Sequence, residues 1–297
     1  MTTVDVPWIH ERGVTLRRRV INGLASAWMI GALFLALIPL VAIATYVLSK
    51  GLGIISASFL TKDLPVQTQF AEGGIAPAIV GTVVITALAA CIAIPLGVLA
   101  AIYLNEYGAQ GKLAAVIRFM ADVMTGVPSI VMGLFVATVW VSAGLHRGYS
   151  GLAGSFALAA LMLPIVIRSC EEMLKLVPRD LRDASDALGA RRWRTVVSVV
   201  IPAALPGIVS GAMLAVARAA GETAPLLFTI LTVTAVNPNP FSGPNTSIPS
   251  QIFTNATQPY PGAQARAWGA ALTLIVIAFV LMIAARFITA RFTRYSR

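Results

Sequence analysis

Gly207-Ile-Val-Ser-Gly-Ala-Met-Leu-Ala-Val-Ala-Arg218-Ala-Ala-Gly-Glu222-Thr-Ala-Pro225 sets an arginine and a glutamate inside an otherwise uncharged run. No charge occurs from residue 195 to 217, and none from 223 to 265. A charge at bilayer depth costs roughly 2.5–3.5 kcal/mol on insertion scales, and such side chains normally face a bundle interior or a water-filled path. The run therefore reads as a membrane span that carries function.

The surrounding chain supports a lipid environment. Hydrophobic residues make up 58% of the 297 residues and charged ones 11%, with a mean hydropathy of +0.83. Ordinary soluble domains carry about 25% charged residues. Windows long enough to cross a bilayer fall at residues 24–48, 78–104, 116–142, 152–167, 205–231 and 268–287. The expected fold class is all-α, a polytopic membrane protein of six transmembrane helices. The chain divides into a cytoplasmic segment 1–23, a first helix with its outer loop 24–72, a helical core 73–288 and a cytoplasmic tail 289–297. Within the core lie a long inner connection 170–204 and a long outer one 232–266.

A net charge of +10 raises the question of nucleic acid, and the placement of the basic residues answers it. With the N-terminus inside, the inner face carries Arg12, Arg17, Arg18, Arg19, Lys112 and Arg118, then Arg168, Lys175, Arg179, Arg182, Arg191, Arg192 and Arg194. Arg286, Arg291, Arg294 and Arg297 complete it, against Lys50, Lys62, Arg147 and Arg266 outside. This is the positive-inside asymmetry, which also places both termini in the cytoplasm. No zinc-finger, RRM or helix-turn-helix pattern is present.

Arg17–Arg19 before an apolar run suggests a signal peptide. The charge-free run 20–49 is too long for an h-region of about 7–15 residues, so an uncleaved first helix is expected. Cys91 and Cys170 give neither a disulfide framework nor a metal spacing and read as small apolar side chains. His10 and His146 read as solvated. The outer connection is dense in Pro and Asn (Asn237-Pro-Asn-Pro240, then Phe241-Ser-Gly-Pro-Asn-Thr246), which marks turns. Residues 250–257 read as a short interfacial helix with Ile252 and Phe253 as its apolar face. Asn245-Thr-Ser247 and Asn255-Ala-Thr257 read as chance matches to glycosylation acceptors.

In the inner connection Pro178 suits a helix start, Asp180 complements the helix dipole and Gly189 suits its end. Trp193, Val196 and Val197 then recur at i, i+3 and i+4, giving a second amphipathic helix. This helix–Gly–helix elbow has the shape of a docking element. In the span 205–231, Arg218 and Glu222 lie one turn apart on one helix face with Gly207, Gly211 and Ala215. Arg ahead of Glu is the less favourable order for helix stability. The small-residue stripe admits a close neighbour or leaves room for solute. A structural ion pair is the rival to a transport role. Elsewhere, Gly126-Val-Pro128 interrupts the third span because Pro removes a helix hydrogen bond, with Ser129 satisfying backbone locally or lining a path. Pro95 and Gly97 bend the second span, Asp122 pairs with Arg118 one turn away, and Arg168 snorkels inward.

Asp183-Ala-Ser185, three residues, Gly189, nine residues and Val199-Val-Ile-Pro202 resemble the EAA motif of membrane subunits of bacterial importers powered by ATP-binding cassettes. Asp stands for Glu and Ser for the second Ala, while the Gly and Pro spacing is kept. More narrowly, Leu163-Pro-Ile-Val-Ile-Arg168, Glu171-Glu-Met-Leu174, Val177-Pro178, Gly126-Val-Pro-Ser-Ile130 with Gly133, and Arg218 through Phe228 resemble the PstA-type phosphate permeases, from about residue 73 to 287. The resemblance implies the type I ABC importer permease fold. It also implies a complex with a paralogous PstC-like permease, two PstB-like ATP-binding subunits and an external PstS-like phosphate-binding protein. ATP and Mg would sit on the partner ATPase, and no cofactor on this chain. ATPase coupling falls to Asp183, Ala184, Ser185, Gly189, Arg191, Trp193 and Pro202, and the substrate path to Arg218, Glu222, Thr223 and Ser129.

The residues agree on their own terms. No Gly-x-x-x-x-Gly-Lys-[Ser/Thr] sequence occurs, so the chain lacks that way of cradling ATP phosphates and is expected not to be an enzyme itself. A gradient-driven anion transporter would need no elbow. A membrane enzyme would need a constellation such as His-Glu-x-x-His or Gly-x-Ser-x-Gly, and none occurs.

Overall fold

A computed structural model describes residues 15–67, 69, 72–108, 111–142 and 148–293. His10, His146, Arg12, Arg147, Arg294 and Arg297 lie outside the described residues. The described residues are helical, with no strand among them. They fall into two units, residues 1–49 and 50–297.

From residue 16 on, the first unit is one helix, α1 (Leu16–Gly51), which begins in Arg17–Arg19 and continues through the charge-free run. Its apolar side chains are exposed almost throughout, as suits a helix solvated by lipid.

The second unit opens with the short α2 (Ala57–Thr61), capped by Ser56, whose Oγ accepts a hydrogen bond from Phe59 N at 3.1 Å. Next come α3 (Ala76–Ile102), α4 (Lys112–Gly126), α5 (Ser129–Val136) and α6 (Gly151–Lys175). The inner connection holds α7 (Arg179–Ala187) and α8 (Arg192–Thr195), and α9 (Ile201–Ala220) follows. The last elements are α10 (Leu226–Thr229), α11 (Ile248–Ala256) and α12 (Pro261–Thr293). Three wider, π-helical turns extend α3 (Tyr103–Tyr107), extend α5 (Ala137–Ser142) and join α8 to α9 (Val196–Val200).

Five of these helices are long and apolar enough to cross a membrane, and α4 with α5 makes a sixth if counted as one span. That pair is bent by 105°. Val127, extended at φ −73° and ψ 126°, adopts the conformation a following proline imposes, so the expected interruption at Gly126-Val-Pro128 is sharp. Other boundaries move. The fourth span continues to Lys175, well past residue 167. The amphipathic segment at Trp193 is no separate helix but the start of the fifth span, which runs Arg192–Ala220 and stops well before residue 231. The last helix starts at Pro261, so Arg266 is not in an outer loop but inside α12, 1% exposed. The second span runs unbroken from Ala76 through Pro95.

Helix α6 is the centre, packed between α3 and α9, with Ile85, Ala89, Ala93, Leu158, Met162, Val166, Ala204 and Ile208 in the core. Lipid tails are as apolar as Leu, so close packing and not hydrophobicity holds such helices together. Small residues permit it. A Cβ at Gly97 would lie 2.6 Å from Val166 Cγ1, one at Gly207 2.3 Å from Met173 Sδ, and one at Gly211 2.5 Å from Ser169 Cβ. The small-residue stripe of α9 thus serves helix contact.

The outer connection folds back onto the bundle. Asn245 Oδ1 accepts from Gly151 N at 2.8 Å, and Thr82 Oγ1 accepts from Ile248 N at 2.8 Å. Asn245 and Asn255 are 1% and 2% exposed, which closes both acceptor sequences to glycosylation. Helix α11 forms as expected, but its buried side carries Ile248, Ser250, Gln251 and Asn255, and Phe253 is exposed. A Cβ at Gly81 would lie 1.9 Å from the Thr246 carbonyl oxygen, so Gly81→Ala should destabilise by about 1–3 kcal/mol through overpacking. Thermal unfolding of the solubilised protein should show a lowered Tm, with Gly53→Ala, which meets nothing within 4 Å, unchanged.

Candidate functional site

Helix α9 ends in Arg218-Ala-Ala220 and is closed by Gly221 N, which donates to Arg218 O at 3.1 Å. Glu222 N donates to Ala219 O at 3.1 Å, after which Pro225 leads into α10. Arg218 and Glu222 are therefore not on one turn of a continuous helix: the arginine is in the last turn and the glutamate lies beyond the cap. An arginine there complements the negative end of the helix dipole.

This end does not lie at an interface. A cavity of about 350 Å³ is lined by Arg218 and Glu222, by residues 124–129 at the α4–α5 break, and by Leu161, Pro164 and Ile165 from the middle of α6. Three half-helix ends thus meet level with mid-α6: the C-termini of α4 and α9 and the N-terminus of α5. Gly133 of α5 holds the geometry, since a Cβ there would lie 2.4 Å from Pro225 Cα.

Of the four residues expected on a substrate path, Arg218, Glu222 and Ser129 line this cavity together. Thr223 is half-buried beside it; its carbonyl accepts from Leu226 N at 3.1 Å and starts α10. The Arg218 side chain is 70% exposed and Glu222 23%, with Nε and Oε1 3.9 Å apart. That separation is beyond hydrogen-bond reach, and the pairing is too loose for a structural lock. The guanidinium fork is open to an anion, and a carboxylate stands beside it to accept a proton-bearing oxygen.

A second cluster lies on the same helices, toward the end of the bundle that carries the elbow. Glu171 is 1% exposed, yet three cations reach it: Arg118 at 2.9 Å, Lys175 at 3.2 Å and Arg168 at 3.5 Å. Asp122 pairs with Arg168. Arg118 donates to Glu171 and, through Nη2, to Leu104 O at 3.0 Å. Arg168 thereby ties α4 to α6. The sequence hid this cluster because Arg118 and Glu171 are 53 residues apart.

The elbow leaves most of its own surface uncovered. No residue of α7 is buried, and Leu181, Leu188 and Trp193 are exposed. Gly189 has φ +74°, a left-handed conformation that glycine adopts without strain. Asp183 lines a cavity of about 660 Å³ under the elbow, and Ala184, Arg191 and Pro202 are exposed around it. Ser185, the departure from the EAA motif, has its Oγ 2.9 Å from Thr195 Oγ1, joining α7 to the start of the fifth span. Cys170 is buried and Cys91 exposed, and no metal-ligand cluster occurs among the described residues.

Residues 93–294 match the family described as binding-protein-dependent transport system inner membrane component. The phosphate transport system permease protein PstA 1 of Mycobacterium tuberculosis (strain H37Rv) is 43% identical over 289 residues, covering 96% of this chain and 93% of that protein. The PstA of Yersinia pestis is 40% identical over 274 residues, covering 92% of each. Among solved structures, the inward-facing MetNI methionine ABC transporter aligns with a TM-score of 0.59 at 19% identity, over 74% of this chain and 94% of that one. A bacterial alginate ABC transporter, in complex with its pentasaccharide-bound periplasmic protein, aligns with a TM-score of 0.61 at 15% identity, over 92% of this chain and 96% of that one. At these identities the two structures speak for the fold alone.

Removing Glu171 takes the shared acceptor from three cations that are 29–46% exposed and can turn to water, a loss of about 1–3 kcal/mol. Glu171→Ala should therefore lower the Tm of the solubilised protein markedly. Glu172→Ala, which removes a carboxylate 61% exposed, should leave it nearly unchanged.

Proposed function

This chain belongs to the PstA phosphate permeases within the binding-protein-dependent transport family, and on that footing we propose that it moves inorganic phosphate into the cell by alternating access. It is an integral multi-pass inner-membrane subunit of an ABC importer, working with ATP-hydrolysing and substrate-binding partners. The finer assembly is a PstC-like permease beside it, two PstB-like ATPases carrying ATP and Mg, and a PstS-like phosphate-binding protein outside. Both termini lie in the cytoplasm, as the basic residues require.

One observation carries the phosphate reading: Arg218, Glu222 and Ser129 converge on a cavity where three helix ends meet level with mid-α6. Irregular backbone at membrane depth is tolerated where protein or water satisfies it, and such breaks are where transporters build ion and substrate sites. Arg218 supplies a permanent charge and a planar fork for phosphate oxygens. Glu222 accepts a hydrogen bond from the protonated oxygen of hydrogenphosphate, a donor that sulfate lacks at neutral pH. The exposed elbow, with Leu181, Leu188 and Trp193 uncovered, supports docking into an ATPase groove. Asp183, Ala184, Ser185, Gly189, Arg191, Trp193 and Pro202 form or flank that surface.

Losing a charge-assisted bidentate contact costs several kcal/mol. Arg218→Gln should cut phosphate uptake by roughly a hundredfold in an assembled complex; normal uptake would remove the arginine from the path. Glu222→Gln should bring sulfate in as a competitor, narrowing phosphate-over-sulfate discrimination by about tenfold, the worth of one hydrogen bond to a charged group. Unchanged discrimination in competition uptake assays would contradict the acceptor role.

A further inference from the structure

The π-helical turn Tyr103–Tyr107 at the inner end of α3 gathers contacts from three elements. Arg118 of α4 donates to Leu104 O at 3.0 Å. Arg182 of α7 donates through Nη2 to Glu106 Oε1 at 2.8 Å. The Arg192 guanidinium, in α8, lies 5.5 Å from the Tyr107 ring centroid, within cation–π range. The turn is a wider coil than the helix it extends, and single π turns inside α-helices recur at functional sites.

Arg182 does more than form one ion pair. Its Nη1 donates to Val177 O at 2.8 Å and its Nη2 also donates to Leu174 O at 3.1 Å. Leu174 O lies in the last turn of α6 and Val177 O just beyond its cap, where helix carbonyls lack regular intrahelical partners. A single guanidinium therefore clamps α7 to α6 and to α3 at once. Glu106 is 6% exposed and Arg182 20%, so the pair is shielded from the water that weakens surface ion pairs. Helix α7 buries no residue of its own, so packing holds it only weakly. A second tie is at the far end, through Ser185 and Asp186 to Thr195, where α7 also meets the Val196–Val200 turn.

We infer that Arg182 and Glu106 are positioning residues for transport: their ion pair locks the elbow helix to the inner ends of α3 and α6, so that a push on α7 moves those two spans as one body. This rests on the reading of the chain as an ATP-driven permease. Helices α3 and α6 share the most extensive interface in the bundle, and α6 lines the mid-depth cavity. The clamp thus forms a continuous path of contacts from the elbow to the Arg218 cavity. Without it α7 would pivot between Pro178 and Gly189, and nucleotide-driven motion would be absorbed in the elbow.

The experiment reconstitutes the whole complex in vesicles with the external binding protein and measures phosphate imported per ATP hydrolysed. Arg182→Ala, with ATPase subunits still co-purifying, should keep hydrolysis within about twofold of wild type while uptake falls about tenfold or more, a coupling loss and not an assembly loss. Glu106→Gln, which keeps an acceptor oxygen, should lower the ratio less, and the double variant should lose less than the sum of the two. An unchanged transport-to-hydrolysis ratio in Arg182→Ala and Glu106→Gln would overturn the inference, whether both rates stay normal or fall together. Should the wild-type complex hydrolyse ATP but import a different anion, the phosphate reading fails. The ratio measured for that anion then still decides the role of Arg182.

Discussion

A helix that stops inside a membrane leaves its last carbonyls without partners, and hydrocarbon offers none. That constraint governs this protein. Helix α9 ends at Ala220, and the α4–α5 turn breaks at Val127 and Pro128 beside the same cavity. Each break is expensive alone. Together they supply a polar site in which three helix ends, one arginine and one glutamate face a shared cavity. The close contact of Gly133 with Pro225 keeps the two breaks adjacent. The glycines of α3 and α9 bring the flanking helices onto α6, so the cavity has a rigid wall.

The end of the bundle around Glu171 answers a different need. Force from a partner must reach mid-membrane without being lost in loops. Buried charges serve that need because they fix orientation where apolar contacts would slide. Glu171 collects cations from α4 and α6, and the turn at Tyr103–Tyr107 collects arginines from α4, α7 and α8. Arg118 belongs to both clusters, so the inner ends of α3, α4 and α6 form one polar joint beneath an apolar bundle.

Much of this was legible in the sequence for physical reasons. Charges in an apolar run, a Pro after a Gly in a span, and basic residues sorted to one side all carry costs that composition reveals. Arg218, Glu222 and Ser129 were found that way, and the EAA spacing located the elbow. The end of α9 was misread because residues 223–231 are as apolar as the helix before them. Its signals were nonetheless present: a basic last turn, Gly221 and Pro225, the ordinary marks of a helix C-terminus. The Glu171 cluster and the Arg182 clamp were not legible, because each depends on pairing residues far apart in the chain. The π-helical turns leave no periodic mark in sequence. Arg266 looked like a loop cation and is instead buried in α12, since helix α11 folds the outer connection back over it.

The central claim is that the mid-membrane break is a water-filled anion path. Ser129→Cys, in a chain with Cys91 and Cys170 replaced by Ala, puts a thiol in the cavity wall for a small membrane-impermeant reagent. The account predicts labelling in the assembled complex from at least one side of the membrane, changing side with nucleotide state and slowed by phosphate but not by sulfate. Absence of labelling from both sides in every nucleotide state would show the cavity to be a sealed structural void and contradict the account.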